Sequence, residues 1–377
     1  MKIAHICLSN WYVDGWSYQE NELIRQHVID GHNVLVLAST EVQNVDGINT
    51  YLEPHEYVGS EGAKIKRLPY RFGPHSLMKK IRAHPRVNFE LQIFQPDAIL
   101  FHGTCGWEVI TVANYARAHP DVQFYIDSHE DANNSARSFI SREILHKLFY
   151  KYCLSRAWPI AKKVLCISTE TIDFVNKMYG VPMEKIEFFP LGGKIPSDDQ
   201  YNLLRDEGRK KLGILPEEIL FLQAGKQTTA KKLIESMKAF NATPSHAKMV
   251  IAGSLDSAIE TEAVSLISQN PRITYLGWQS VDEMALLLCA ADVYLQPGTQ
   301  SVTMQNSLCC RCVPILANAP SHKIFMDNNG WLVDNQHDLQ AAILKACEVQ
   351  LGPMSLKSLG VAKRLLDYEI MSKRILR

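Results

Sequence analysis

Three groups of residues in this sequence have types and spacings that could do chemistry. The first is Asp127-Ser128-His129-Glu130-Asp131, with His102 upstream. Each histidine closes an apolar run, "PDAILFHGT" or "VQFYIDSHED". If those runs are strands, both imidazoles reach the crevice outside the strands' carboxyl ends. The second group is Gly225 and Lys226, followed by Lys231 and Lys232 near a helix start. Cations there oppose the helix dipole, and an anionic ligand would reverse the sign. Two charge-assisted contacts of about 1.5–3 kcal/mol each would supply much of the affinity for a diphosphate. The third is "ADVYLQPGTQSVTMQNSLCCRCVPIL", Ala291 to Leu316, where a strand empties through Gly298 into a helix. Unpaired N–H groups at such a start suit an anion or a sugar hydroxyl. Thr299, Gln300, Ser301 and Thr303 add hydrogen bonding without charge.

Metal chemistry is not expected. Asp127, His129 and Asp131 are ligand types, but all lie in one stretch with no second contributing segment. Cys309, Cys310 and Cys312 have no further Cys or His pair at zinc spacing, and the nine cysteines read as reduced thiols in apolar segments.

These groups need strands and helices to position them. Lys2 to Leu8 reads as a buried strand, "YQENELIRQHVID" as a helix stopped at Gly31, and Asn33 to Leu37 as a second strand. The first loop holds one glycine, Gly15, where a dinucleotide fingerprint holds three, which disfavours a nicotinamide enzyme. A helix from Ser141 to Trp158 carries Ile144, Leu148, Tyr152 and Leu154 on its apolar side. "PLGG", Pro190 to Gly193, marks a hinge, after which strand-helix alternation restarts. The expected domains are 1–192 and 193–360, with a helix over 361–377 returning to the first.

Composition limits the partners. Lys plus Arg and Asp plus Glu are 40 each, so no global field attracts nucleic acid. No window approaches a membrane span and the start lacks a signal peptide, so a cytoplasmic location is expected. The stretch between Glu61 and Glu90 holds eight basic residues and no acid. Lys79, Lys80, Arg82 and Arg86, beside Leu77, Met78 and Ile81, form a candidate patch for an anionic membrane surface or for acceptor phosphates.

Taken together, the two strand-helix halves, the glycine hinge, the lone-glycine first loop and Gly225-Lys226 with Lys231 resemble family 4 retaining glycosyltransferases of the GT-B fold. The resemblance covers almost the whole chain. It is carried further by "YQEN" at Tyr18 to Asn21, "HG" at His102-Gly103, the D-x-H-x-D-x-x-N-S-A-R segment from Asp127 to Arg137, and "PGTQS" at Pro297 to Ser301. It implies an α/β fold of two doubly wound Rossmann-like domains. It also implies transfer, with retention and without a metal or other cofactor, from a nucleoside-diphosphate sugar, a UDP-sugar being the expected donor. The acceptor would be lipid-linked or a polysaccharide, and the protein peripheral on the inner face of the cell membrane.

By the same resemblance, Gly225, Lys226 and Lys231 meet the donor diphosphate, with Gly15 approaching from the other side. His129 stands beside the reacting sugar. Gly298, Thr299, Gln300, Ser301 and Gln305 line the sugar and ribose side, and His102, Asp127, Asp131 and Arg137 are acceptor-side candidates. The family's paired glutamates are absent: Pro297 and Gln305 occupy their positions. A nucleotide-sugar epimerase or hydrolase, or a catalytically weak nucleotide-binding scaffold, remain alternative readings.

Overall fold

The computed structural model describes residues 1–44, 48–131, 135 and 138–376. The chain forms two compact units, Met1–Pro190 with Tyr368–Arg377, and Leu191–Asp367. The expected boundary at 361 falls inside the helix Gly352–Leu365, which belongs to the second unit. The physical reason is where the apolar residues bury. Leu359, Val361, Ala362 and Leu366 are buried within the second unit, whereas Met371 and Ile375 join Leu23, Leu100 and Phe189 in the first. Burying each of those two contributes roughly 1.5–3 kcal/mol, enough to dock a short terminal helix, Tyr368–Arg374.

The first unit is built on an eight-stranded sheet. Its strands are β1 (Lys2–Cys7), β2 (Asn33–Ser39), β3 (Glu56–Val58), β4 (Lys64–Leu68), β5 (Ala98–Phe101), β6 (Gln123–Ser128), β7 (Val164–Cys166) and β8 (Ile186–Phe188). They lie in the order β8-β7-β6-β5-β1-β2-β4-β3, parallel except where β3 meets β4. "VLVLAS" and "AILF" are unbroken apolar runs, and every residue in them is buried, as strands covered on both faces require. Alternate residues serve opposite layers. Ile99 and Phe101 pack with Val109, Val112 and Leu154, while Leu100 packs with Leu23 of helix α1 (Gln19–Ile29) and with Met371. Because β1 lies between β2 and β5, strand order reverses there and the crevice falls outside the carboxyl ends of β1 and β5.

One expectation is corrected here. The π-helix Ile140–Tyr150 and the α-helix Lys151–Ala157 bury His146, Tyr150, Cys153, Leu154 and Ala157. Ile144, Leu148 and Tyr152 therefore face solvent, at 50%, 65% and 54% exposure. The sequence carries two apolar stripes one residue apart, and the other one packs, with Leu145 and Phe149 against the core.

In the second unit, β9 (Ile219–Ala224), β10 (Ala247–Ala252), β11 (Ile273–Tyr275), β12 (Val293–Gln296), β13 (Val313–Ala317) and β14 (Trp331–Val333) form a wholly parallel sheet ordered β11-β10-β9-β12-β13-β14. The reversal lies between β9 and β12, so the loops starting at Gly225 and Gly298 leave adjacent strands. Their backbones pack without side chains between them. A Cβ on Gly253 would lie 2.0 Å from the Gly225 carbonyl oxygen, and one on Gly298 would lie 2.0 Å from that of Ala230.

Gly253 also has φ 122°, which L side chains rarely adopt. Gly253→Ala is expected to destabilise the protein by about 1–3 kcal/mol through overpacking and backbone strain. Urea unfolding measures this, and an unchanged midpoint would contradict the close approach.

Candidate functional site

In the first unit the tips of β5 and β6 are tied by two buried carboxylates. Asp127 accepts from the Gly103 N–H at 2.7 Å and lies 2.5 Å from His102 Nδ1 through its other oxygen. Glu130 accepts from the Thr104 N–H and hydroxyl, the Ser128 hydroxyl and the His129 N–H at 2.7–3.2 Å. Gly103 makes the turn possible with φ 94°, and a Cβ there would meet Ser9 at 2.7 Å. His129 is the group this scaffold presents. Its side chain is 33% exposed and its Nε2 lies 3.8 Å from Asp127 Oδ1, while Asp127 is 1% exposed.

The electrostatics follow from that burial. Desolvation alone would push the Asp127 carboxyl up, but His102 and then His129 outweigh it and hold the pKa far below the usual carboxylate range. Desolvation would likewise lower His129, but the Asp127 charge, with smaller contributions from Glu20 and Glu130, raises its pKa to about 9. At neutral pH His129 is an imidazolium, a hydrogen-bond donor and not a base.

The expected acceptor-side set is only partly surface. His102 and Asp127 are buried beneath His129, so neither can touch an acceptor directly. The cause is the continuation of β5 and β6 into the core, where these side chains pair with each other. Asp131 lines an open groove of about 690 Å³ with Lys147, Leu148, Lys151, Phe174 and Met178. Arg137 lies outside the described residues.

The first loop is held differently from its expected role. The Gly15 N–H donates to Glu61 at 3.2 Å, and the Tyr12 hydroxyl and Asn21 amide donate to the same buried carboxylate. The N–H expected to approach a diphosphate is thus already engaged, although Gly15 keeps its turn conformation at φ 80°.

The basic stretch is neutralised by acids from elsewhere in the unit. Lys79 pairs with Glu41, Lys66 with Glu90 and Glu56, Arg71 with Glu108, and Arg86 with Glu90. Arg82 turns inward and donates to the Ser9 carbonyl. Of the expected patch, Lys80 alone has no ion pair or side-chain hydrogen bond among the described residues. The sequence window contained no acid, but the fold supplies four.

In the second unit the two switch-point loops are joined by Lys231. It lies in a 3-10 turn, Thr229–Lys231, before the helix Leu233–Phe240, and its ammonium donates to the Thr299 and Gln300 carbonyls at 2.7 and 2.8 Å. Burial lowers its pKa to about 8. Lys226 is exposed and has no ion pair or hydrogen bond among the described residues. The Thr299 N–H donates to Ala230 at 3.0 Å, and Gln296 reaches the Thr299 carbonyl and accepts from Ser301. Ser301 caps helix α2 (Val302–Cys309) by accepting from the Met304 N–H. A Cβ on Gly225 would stand 3.7 Å from the Thr303 hydroxyl, placing this helix's first turn across from the glycine.

Gln305, one turn into α2, is completely buried, and neither of its amide atoms has a hydrogen-bond partner. Each such orphan costs about 1–3 kcal/mol. Gln223 and Gln296, which brace the loops from beneath, were not singled out from sequence, nor were Glu20, Glu61 and Glu130. The only advance signal for Glu20 was its place in "YQEN"; for the others there was none.

No protein-family model and no curated protein matches the sequence. Solved structures do. HepE of Anabaena, solved in complex with UDP and glucose, superposes with a TM-score of 0.64 at 14% identity, covering 100% of this chain and 98% of that one. Sucrose-phosphate synthase from Thermosynechococcus elongatus gives 0.63 at 15%, covering 100% and 97%. WaaG, a glycosyltransferase involved in lipopolysaccharide biosynthesis, gives 0.60 at 15%, covering 99% and 98%. The chain has the GT-B fold along its whole length.

The pKa shifts predict a stability maximum. His5 and His27 are held neutral by burial, His27 at about 4, so unfolding takes up protons as pH falls below 6.5. His129 is shifted the other way. Its stabilisation is complete below 6.5 and lost as pH rises through about 9. Urea unfolding at pH 5, 7 and 9 is expected to show the highest stability at 7, and His129→Gln to flatten the alkaline limb only. An alkaline limb unchanged in that variant would refute the His129–Asp127 pairing.

Proposed function

We propose that the chain is a retaining glycosyltransferase that uses a nucleoside-diphosphate sugar, with a UDP-sugar as the first candidate. The observation that carries this reading is the switch point of the second sheet. Gly225-Lys226 and Gly298 to Ser301 leave neighbouring strands there, with the exposed Lys226 beside the Lys231 tie. Full-length likeness to GT-B structures, one of them holding UDP and glucose, supports it.

In this reading the second unit holds the donor. Lys226 meets the diphosphate directly. Lys231 keeps the loop from Gly298 to Ser301 in place and adds charge where the leaving group becomes more negative. Gln305, whose amide atoms are both buried, would meet the ribose hydroxyls as donor and acceptor only after the loop before it moves. The first unit binds the acceptor and supplies His129. As an imidazolium, His129 donates to a hydroxyl of the reacting sugar. The bond from the anomeric carbon to the diphosphate breaks, the acceptor oxygen bonds on the same face, and its proton passes to the departing phosphate oxygen. No metal is assigned to this step.

The acceptor we favour is lipid-linked. Among the described residues no helix is long and apolar enough to cross a membrane. Phe139, Ile140, Ile144, Leu148 and Tyr152 are nevertheless 50–72% exposed along one segment, which also carries Lys147 and Lys151. This surface replaces the neutralised stretch around Lys79 as the proposed membrane contact, and an apolar stripe of that kind seats in the headgroup boundary. The groove containing Asp131 lies alongside, with Leu148 common to both.

Two experiments test these assignments. UDP, GDP, ADP and their sugars are screened by thermal shift, since a bound ligand raises the melting temperature by mass action. Lys226→Ala is expected to weaken nucleotide binding by about 1.5–3 kcal/mol without altering ligand-free stability, whereas Lys231→Ala lowers both. Wild-type nucleotide affinity in both folded variants would remove the diphosphate from this loop, and release of free sugar with every acceptor tried would favour a hydrolase. The membrane contact is tested by sedimentation with anionic liposomes. Wild type is expected to sediment and the Ile144→Asp, Leu148→Asp double variant to remain in solution; a wild type that never sediments refutes the contact.

A further inference from the structure

Four hydrogen bonds run in series through the interior of the first unit. The Ser372 carbonyl lies 3.2 Å from His27 Nε2, and His27 Nδ1 lies 3.0 Å from His5 Nε2. His5 Nδ1 is 2.9 Å from His102 Nε2, and His102 Nδ1 is 2.5 Å from Asp127 Oδ2. All three histidines and Asp127 are at most 1% exposed. The links join five elements: the helix Tyr368–Arg374, α1, β1 and the tips of β5 and β6.

Proton counting fixes the state of this series. Both of its ends, a carbonyl and a carboxylate, accept. Four links need four protons, and three neutral imidazoles bring three. A link without a proton would set two lone pairs against each other inside the core, at the cost of an unmet buried group. The series therefore holds one proton beyond neutrality, and the charge of Asp127 balances it. The direction is also fixed: His27 must donate through Nε2 to Ser372, so its Nδ1 accepts from His5, and His5 Nδ1 accepts from His102.

We infer that Ser372, His27, His5, His102 and Asp127 form a single one-proton chain, and that its three histidines are positioning residues that hold the Asp127 carboxylate toward His129. The extra proton resides at the shortest link, between His102 and Asp127. His5 and His27 do not take it, because burial first, and neighbouring histidines next, push both pKa values down. Other titratable groups near the series are Asp30 and His32 beside His27, Glu20 and Glu130 beside His129, and the neutral Cys7 thiol on β1 with Arg67 near it. With Oδ2 occupied by His102, Asp127 Oδ1 is left for the Gly103 N–H and for His129. The charge state of the exposed histidine thus depends on residues that never reach the surface.

The test is nitrogen-15 NMR of histidine-labelled full-length protein, with signals assigned through single-histidine variants. In wild type, His5 and His27 are expected as Nε2–H tautomers that do not titrate between pH 5.5 and 8.5, with His102 protonated at both nitrogens. In Asp127→Asn the side-chain amide supplies the fourth proton itself. His102 should then become a neutral Nε2–H tautomer, His5 and His27 should be unchanged, and the His129 titration should fall from about 9 toward 6.5. A His102 that stays doubly protonated in Asp127→Asn, or an Nδ1–H tautomer at His5, would overturn the chain.

A second arm rests on the transferase reading. His5→Gln keeps one donor and one acceptor at imidazole spacing and should retain turnover and its pH profile. His5→Phe should lower kcat on the order of tenfold, with KM for the donor unchanged. Equal kcat in the two folded variants would remove the positioning role. The NMR result stands apart from activity, so failure of the transferase reading and failure of the chain are distinguishable.

Discussion

A carboxylate taken out of water must recover several kcal/mol from its partners, and Asp127 is the buried charge on which the first unit's site depends. Its two oxygens demand donors from defined directions. One finds the Gly103 N–H and the other His102. That requirement explains features that otherwise look separate. The chain after β5 must turn at Gly103 with φ 94° to aim its N–H, and β5 and β6 must stay in register for His102 to reach across. The same charge raises the pKa of the half-buried His129 imidazole. Positioning and activation of His129 are therefore one interaction.

The switch point of the second unit meets a different constraint. Its two switch-point loops approach backbone to backbone at Gly298, and the loop after β10 approaches the first of them at Gly253, where any side chain would prevent it. Neutral glutamines and Lys231 then tie the loops. A cation donating to two carbonyls in a dry place is only partly satisfied, and burial has already brought its pKa down to about 8. A dianionic neighbour would raise that pKa again, so the loop is held by the lysine already and gains further from an anion.

How much of this was legible in the sequence depended on the range of the interaction. The apolar runs and the two doubly wound halves were readable because parallel strands bury both faces. The loops at Gly225 and Gly298 were readable because glycine and lysine at strand ends are local signals. His129 was picked from its place at the end of a strand, and its neighbours Asp127 and His102 were misjudged as surface groups for the same reason. Strand position says which end a residue occupies, not how deep its side chain lies. The stretch from Lys64 to Arg86 misled because charge in a window says nothing about Glu41 or Glu108, which only the fold brings near. The helix after Ser138 misled because two stripes of equal apolarity fit it and only packing chooses. His5 and His27, in "KIAHIC" and "IRQHVI", carried a signal that periodicity hides: each reads as one more core position.

The replacement of glutamate by glutamine at 305 is best understood through burial. A carboxylate with no partner at that depth would need several kcal/mol of compensation or would protonate, whereas an unpaired amide costs about 1–3 kcal/mol per orphaned group. Gln305 stands alone in this sense: both amide atoms are buried and unbonded, and no cation is tied to it. With glutamine this position stays folded at that cost and carries no unpaired charge. A glutamate there would hold an unpaired charge or take up a proton in every ligand-free molecule. The substitution therefore trades the larger penalty of a buried unpaired charge for the smaller one of an unpaired amide.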